Sequence, residues 1–172
     1  FYRACSKLDC ITSHIDFFSR TVNWEVKVFA HDIIYVGGGN TKSMLAVWKE
    51  WNLYEILQNA YEKGIVMSGV SAGAICWFDK GITDSYAEEL TIIDCLGIVG
   101  GIACPHFDEE KEREPYVNDV INREIIKSCI CIEGNCALHV KNNIEYSSID
   151  FGNGKQCFRV YKEKNTLKKD IL

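Results

Sequence analysis

The chain has 172 residues, 47% of them hydrophobic, and a formal charge of −5 at pH 7, so it can bury one sizeable core but not two and is read as a single domain over residues 1–172. Acidic and basic residues are mixed along its length rather than gathered in a basic stripe, which argues against nucleic acid as a partner. No apolar run approaches the roughly 20 residues that cross a bilayer and no charged start leads into an apolar stretch, so neither a membrane nor secretion is indicated and a cytoplasmic location is expected.

Residues 1–27 contain no evident opening βα unit. Residues 32–36 (Asp-Ile-Ile-Tyr-Val) form a short apolar run that stops at Gly37, Gly38 and Gly39, the pattern of a buried parallel strand running into a loop. A helix capped by Asn40 or Thr41 follows. Its apolar residues Met44, Leu45, Trp48 and Trp51, then Leu53, Ile56, Leu57, Ala60 and Tyr61, lie near helical spacing, with a break near Asn52 and an end at Gly64. Residues 65–70 read as a second buried strand with Ser71 at its end, and residues 72–78 as a helix packed under the turn. After a loop over 79–97, residues 98–104 suggest a strand closed by Pro105, which leaves His106 just past a strand end.

The charge-rich stretch 108–127, with Pro115 suited to a first turn, predicts a surface helix that buries Tyr116, Val117, Val120, Ile121 and Ile125. Residues 129–132, 137–140, 144–147 and 156–161 read as strands separated by Glu-Gly-Asn, Asn-Asn and Gly-Asn-Gly turns, and a solvated Lys-rich tail is expected from Lys162. Strands alternating with helices over the first two-thirds predict an α/β fold: a mainly parallel sheet with helices on both faces, followed by a β-rich C-terminal extension.

Nine cysteines in a chain of this size, an odd number with no secretory segment, are read as reduced thiols. Cys129, Cys131 and Cys136 approach a metal-like cluster. No C-x-x-C pair accompanies them, and strand alternation puts Cys129 and Cys131 on one face as small apolar fillers, so no metal is expected.

Gly69-Val70-Ser71-Ala72-Gly73 matches the G-x-S-x-G nucleophile elbow in the strand, sharp turn, helix setting that the motif requires. The two glycines allow close backbone approach, and the N–H of Ala72 is placed to meet an oxyanion. Of the four histidines, His106 alone falls beyond the carboxyl end of an expected strand, where catalytic groups of parallel sheets gather; His14, His31 and His139 are read as ordinary surface or half-buried residues. A carboxylate should fix the imidazole tautomer. Glu133, at the end of the strand 129–132, is the choice, with Asp84, Asp94, Asp108 and Glu109 as rivals. The run Gly37-Gly38-Gly39-Asn40-Thr41 lacks the spacing of a dinucleotide or Walker loop and suits a second oxyanion donor better.

Taken together, residues 35–41 (Tyr-Val-Gly-Gly-Gly-Asn-Thr), 69–74 (Gly-Val-Ser-Ala-Gly-Ala), 104–106 (Cys-Pro-His) and 133–135 (Glu-Gly-Asn) resemble, in motif and in order, the peptidase E (aspartyl dipeptidase) family of serine peptidases, over nearly the whole chain from about Asp32. The order Ser, His, Glu differs from that of α/β-hydrolases, which place the acid between serine and histidine. The resemblance implies a three-layer fold akin to class I glutamine amidotransferases, with serine where those carry cysteine and with no metal or organic cofactor. It implies Ser71 as nucleophile, His106 as base, Glu133 as orienting acid, and Gly39 with Ala72 as oxyanion donors. Asp84 falls where the family has an aspartate associated with activity, so its role competes with that of Glu133.

Two departures accompany the resemblance: the N-terminal strand is missing from the pattern, and Ile75, Trp77 and Phe78 follow Ser-Ala-Gly-Ala where aspartyl dipeptidases carry asparagine. The expected reaction is hydrolysis of short peptides, including dipeptides with N-terminal aspartate, by a monomer or homodimer. Arg113, near His106 in sequence, is the expected partner of a substrate carboxylate. The alternatives are a cyanophycinase-like hydrolase or esterase on the same scaffold, or a catalytically silent binding protein.

Overall fold

Two short helices open the chain, α1 (Tyr2–Cys5) and α2 (Trp24–Phe29), in a computed structural model that describes residues 1–19, 23–86 and 89–172. Positions 20–22, in the unassigned opening stretch, and 87–88, in the expected loop, lie outside the described residues.

The apolar run before the glycines forms β1 (Ile33–Val36), and β2 (Val66–Gly69) pairs with it in parallel, Ile33 opposite Val66 and Val36 opposite Gly69. Between them lie α3 (Thr41–Glu50) and α4 (Leu53–Glu62). Asn40 caps α3 by accepting from the Ser43 N–H at 2.8 Å, and Asn52, at φ 55°, breaks the two helices apart where the periodicity faltered. α2 packs on α4 and α3 on α4. The strand pair is not fully buried as its sequence predicts: Ile33, Tyr35 and Val66 are exposed, while Val36 alone is buried in β1.

After Ser71 comes α5 (Ala72–Ile75), shorter than the expected helix because Phe78 already begins a strand. The larger sheet has the order β10-β9-β6-β5-β3-β4, from β3 (Phe78–Thr83), β4 (Thr91–Asp94), β5 (Val99–Cys104), β6 (Ser128–Ile132), β9 (Cys157–Glu163) and β10 (Thr166–Ile171). It is parallel through its middle, β3 to β5 to β6, and antiparallel at its margins. A separate hairpin joins β7 (Cys136–Lys141) to β8 (Glu145–Asp150), and α6 (Arg113–Asn122) packs against β9.

Side-chain alternation divides the core in two. On one face Ala103 and Ile130 join Leu45, Trp48, Leu57, Ile75 and Phe78 under α3, α4 and α5. On the other, Cys104, Cys129 and Cys131 join Val117, Val120 and Ile121 of α6, so the two strand cysteines do share a face as apolar fillers.

Two further expectations are corrected. Much of the loop predicted over 79–97 is the β3–β4 hairpin; β3 lacks period-two alternation and holds Gly81, whose missing Cβ makes room for Ile75. The tail predicted from Lys162 is instead the β9–β10 hairpin, closed by Lys164 and Asn165, both at positive φ. A lysine there is an uncommon turn residue, so the signal was hidden. Among the described residues no helix is long and apolar enough to cross a membrane.

Leu57, 2% exposed, is expected to lose about 2–5 kcal/mol of folding stability as Leu57→Ala. Val26→Ala, at a side chain 68% exposed, should cost no more than about 0.5 kcal/mol. Urea unfolding of the two variants checks the contrast; equal losses would contradict this placement of the core.

Candidate active site

The strand-end turn is built from backbone packed on backbone. A Cβ on Gly73 would overlap the carbonyl oxygen of Val36, and one on Gly69 would overlap that of Gly73. With both side chains absent, β1, β2 and α5 meet directly, and the Val70 N–H donates to the Val36 carbonyl at 3.1 Å. The chain reverses at Ser71, which takes φ 55° and ψ −118°. A non-glycine residue held there stores roughly 1–3 kcal/mol of strain. Gly38 lies alongside: a Cβ on it would sit 3.2 Å from the Ser71 Cβ.

His106 follows Pro105 at the end of β5 and is itself at φ 52°, which turns the chain back at once. The Glu109 and Glu110 N–H groups both donate to the His106 carbonyl at 3.1 Å. This tight turn aims the ring two ways. Nε2 lies 2.9 Å from Ser71 Oγ, and Nδ1 lies 2.6 Å from Glu109 Oε2. An ionised carboxylate only accepts, so Nδ1 carries the proton and Nε2 is left to accept from the Ser71 hydroxyl.

The acid at the imidazole is therefore Glu109 and not Glu133. Glu133 Oε2 accepts the Gln156 N–H at 3.0 Å and so holds the start of β9. Its turn still serves the site: a Cβ on Gly134 would overlap the Glu109 carboxylate, so the glycine leaves that group its place. The Gly134 N–H donates to Asp108 Oδ1 at 2.7 Å, and Asp108 Oδ2 pairs with Lys155 Nζ at 2.5 Å. Glu109 was one of several rivals in the sequence; what singles it out is the positive φ at His106, which makes a residue three positions on its neighbour.

The remaining expected residues fall elsewhere. Arg113 is 3% exposed, with Nε donating to Glu110 at 2.7 Å and Nη1 to the Ile82 carbonyl at 3.1 Å, so its guanidinium is used inside the fold and does not face a substrate. Asp84 is exposed and lines a separate cavity of about 420 Å³ with Glu89, Leu90, Glu110, Glu112 and Tyr116. Ala72 is buried, Gly39 has φ 148°, and neither N–H has an acceptor among the described residues. Ser85 was missed by sequence reasoning: its Oγ accepts the Thr41 N–H at 2.9 Å and its carbonyl accepts Asn40 Nδ2 at 3.2 Å, which steadies the end of the glycine loop.

Burial alone would raise the Asp108 carboxyl, but the Lys155 ammonium and the Gly134 N–H outweigh it and hold the group below its ordinary value of 3.8. Its folded pKa is the lower one, so the stability it contributes is fully present above the unfolded value and is lost as pH falls through the folded value. Asp108→Asn is expected to flatten the decline of stability below about pH 4. Thermal unfolding at stepped pH checks this; an unchanged acid slope would contradict it.

Comparison with known proteins gives a consistent picture. The family model described as Peptidase family S51 matches residues 1–145. An uncharacterized peptidase, YgaJ of Bacillus subtilis (strain 168), is 42% identical over 168 residues, covering 97% of this chain and 73% of the relative. A second, Lin0382 of Listeria innocua serovar 6a, is 29% identical over 108 residues, covering 59% of this chain and 49% of that protein. A crystal structure described as that of a candidate peptidase E protein from Listeria monocytogenes EGD-e superposes with a TM-score of 0.69 at 19% identity, over 87% of this chain and 75% of that one. At that identity the likeness concerns the fold.

Proposed function

We propose, since this chain belongs to peptidase family S51 and is a serine-type peptidase, that it hydrolyses short peptides with Ser71 as nucleophile, His106 as general base and Glu109 as the orienting carboxylate. The observation that carries this reading is the unbroken run from the Ser71 hydroxyl through both ring nitrogens to Glu109, at 2.9 and 2.6 Å.

In this reading Ser71 Oγ attacks the peptide carbonyl while its proton passes to His106 Nε2. The N–H groups of Ala72 and Gly39, free of protein acceptors among the described residues, receive the oxyanion. His106 then returns its proton to the leaving amine, and the C–N bond breaks to leave an acyl ester on Ser71. Water, deprotonated by the same ring, cleaves the ester and restores the serine. Glu109 keeps the proton on Nδ1 and stabilises the imidazolium that forms at each transfer. No step calls on a metal or an organic cofactor.

The parallel strands β3, β5 and β6, with α5 and α6 toward opposite faces, support reading the fold as the three-layer arrangement of class I glutamine amidotransferases. A preference for N-terminal aspartate would need a cation turned toward the substrate. Arg113 is committed to Glu110 and the Ile82 carbonyl, so such a preference would rest on another cation.

Ser71→Ala should abolish turnover of a dipeptide library and labelling by a fluorophosphonate probe. Glu109→Gln should lower kcat on the order of 10²–10⁴-fold, by analogy with loss of the orienting acid in a serine triad. Glu133→Gln should leave kcat within a few fold while lowering the unfolding temperature. Steady-state kinetics on the best library substrate decide the matter: undiminished hydrolysis by Ser71→Ala rejects the nucleophile, and a larger kcat loss for Glu133→Gln than for Glu109→Gln rejects the acid.

A further inference from the structure

Two thiols outside the catalytic run face one another. Sγ of Cys136, the first residue of β7, lies 3.5 Å from Sγ of Cys157, the first residue of β9. Cys157 is fully buried and its N–H donates to Ser148 Oγ at 2.7 Å. Cys136 is only half-buried and its thiol reaches the Glu133 carbonyl at 3.2 Å. The pair thus sets the sulfur of a partly exposed residue directly against that of a fully buried one. Cys129 and Cys131, by contrast, are both fully buried within the core.

The position is as informative as the distance. Cys136 directly follows the turn 133–135, whose Gly134 lies against the Glu109 carboxylate, and Cys157 directly follows Gln156, whose N–H is held by Glu133. In the β6–β9 register Cys157 stands opposite Ile132, the residue just before that turn. A bond between the two sulfurs would therefore close the turn's outgoing strand onto β9.

We propose that Cys136 and Cys157 form a thiol–disulfide modification site, closed by a small oxidised disulfide of the glutathione class, that fastens the 133–135 turn to β9. The Cys136 thiolate attacks one sulfur of the reagent, giving a mixed disulfide and releasing one small thiol. The Cys157 sulfur then attacks the Cys136 sulfur and expels the second. The two protein thiols give up two electrons and two protons, and the reagent takes them as two thiols. The sulfurs must close from 3.5 Å to a bonded separation of about 2.05 Å, a shift that the ends of two strands can absorb. Burial raises both thiols above their ordinary range, Cys157 to about 12, which makes the more exposed Cys136 the first to react.

The test treats the full chain with oxidised glutathione, alkylates the remaining thiols and maps the peptides by mass. A Cys136–Cys157 cross-linked peptide two hydrogens lighter than the sum of its parts is expected, with an unfolding temperature roughly 5 °C or more above that of the reduced chain, because the link constrains the unfolded state. Cys136→Ser should show neither the link nor the shift. Cys10, which is exposed, reports that the reagent has acted. A modified Cys10 beside fully alkylated Cys136 and Cys157, or a link from Cys136 to another cysteine, would overturn the proposal. None of these readouts requires peptide hydrolysis, so they stand or fall apart from the roles assigned to Ser71 and Glu109.

Discussion

Direct contact of main chain with main chain, where β1, β2 and α5 cross, is the constraint from which the rest of the site follows. Gly73 rests on the Val36 carbonyl and Gly69 on the Gly73 carbonyl, each at a separation that admits no side chain. Packing this close leaves a single residue in which to reverse direction, and Ser71 accepts the unfavourable φ of 55°. The strain of roughly 1–3 kcal/mol is offset by its surroundings, since Ala72 and Ile75 are buried and the β1–β2 register is regular. The Ser71 oxygen is thereby placed within 2.9 Å of the His106 ring.

The imidazole is held by a second interlocking of turns. Residues 106–109 fold back on the His106 carbonyl, and residues 133–135 lie against Glu109 with Gly134 where a Cβ would displace the Glu109 carboxylate. Asp108 ties the two together through the Gly134 N–H, with Lys155 across from it. Glu133 lies in this same support, fixing Gln156 at the start of β9. The two carboxylates thus have different partners: Glu109 bonds the His106 ring, and Glu133 fastens the strand that follows Gln156.

Much of this was legible in the chain. The pentapeptide around Ser71 states its own geometry, because only glycine fits at positions 69 and 73. Pro105 marks the end of a strand, and Asn52, Gly64 and the Asn142–Asn143 turn are punctuation with a physical reason. What stayed hidden depended on tertiary context. β3 is buried without alternation, the β9–β10 turn uses a lysine at positive φ, and the acid could not be chosen because the backbone of His106, not the spacing of carboxylates, decides which one reaches Nδ1. Arg113 looked available from its place beside His106 in sequence, but α6 turns it inward to Glu110 and the Ile82 carbonyl.

The most direct measurement is the low-field proton spectrum of the His106 ring in the resting protein. A proton on Nδ1 shared with a carboxylate at 2.6 Å should give a resolved resonance far downfield, present in the Glu133→Gln chain and absent from Glu109→Gln and His106→Gln. A resonance that survives loss of Glu109 and vanishes with Glu133 would contradict the account.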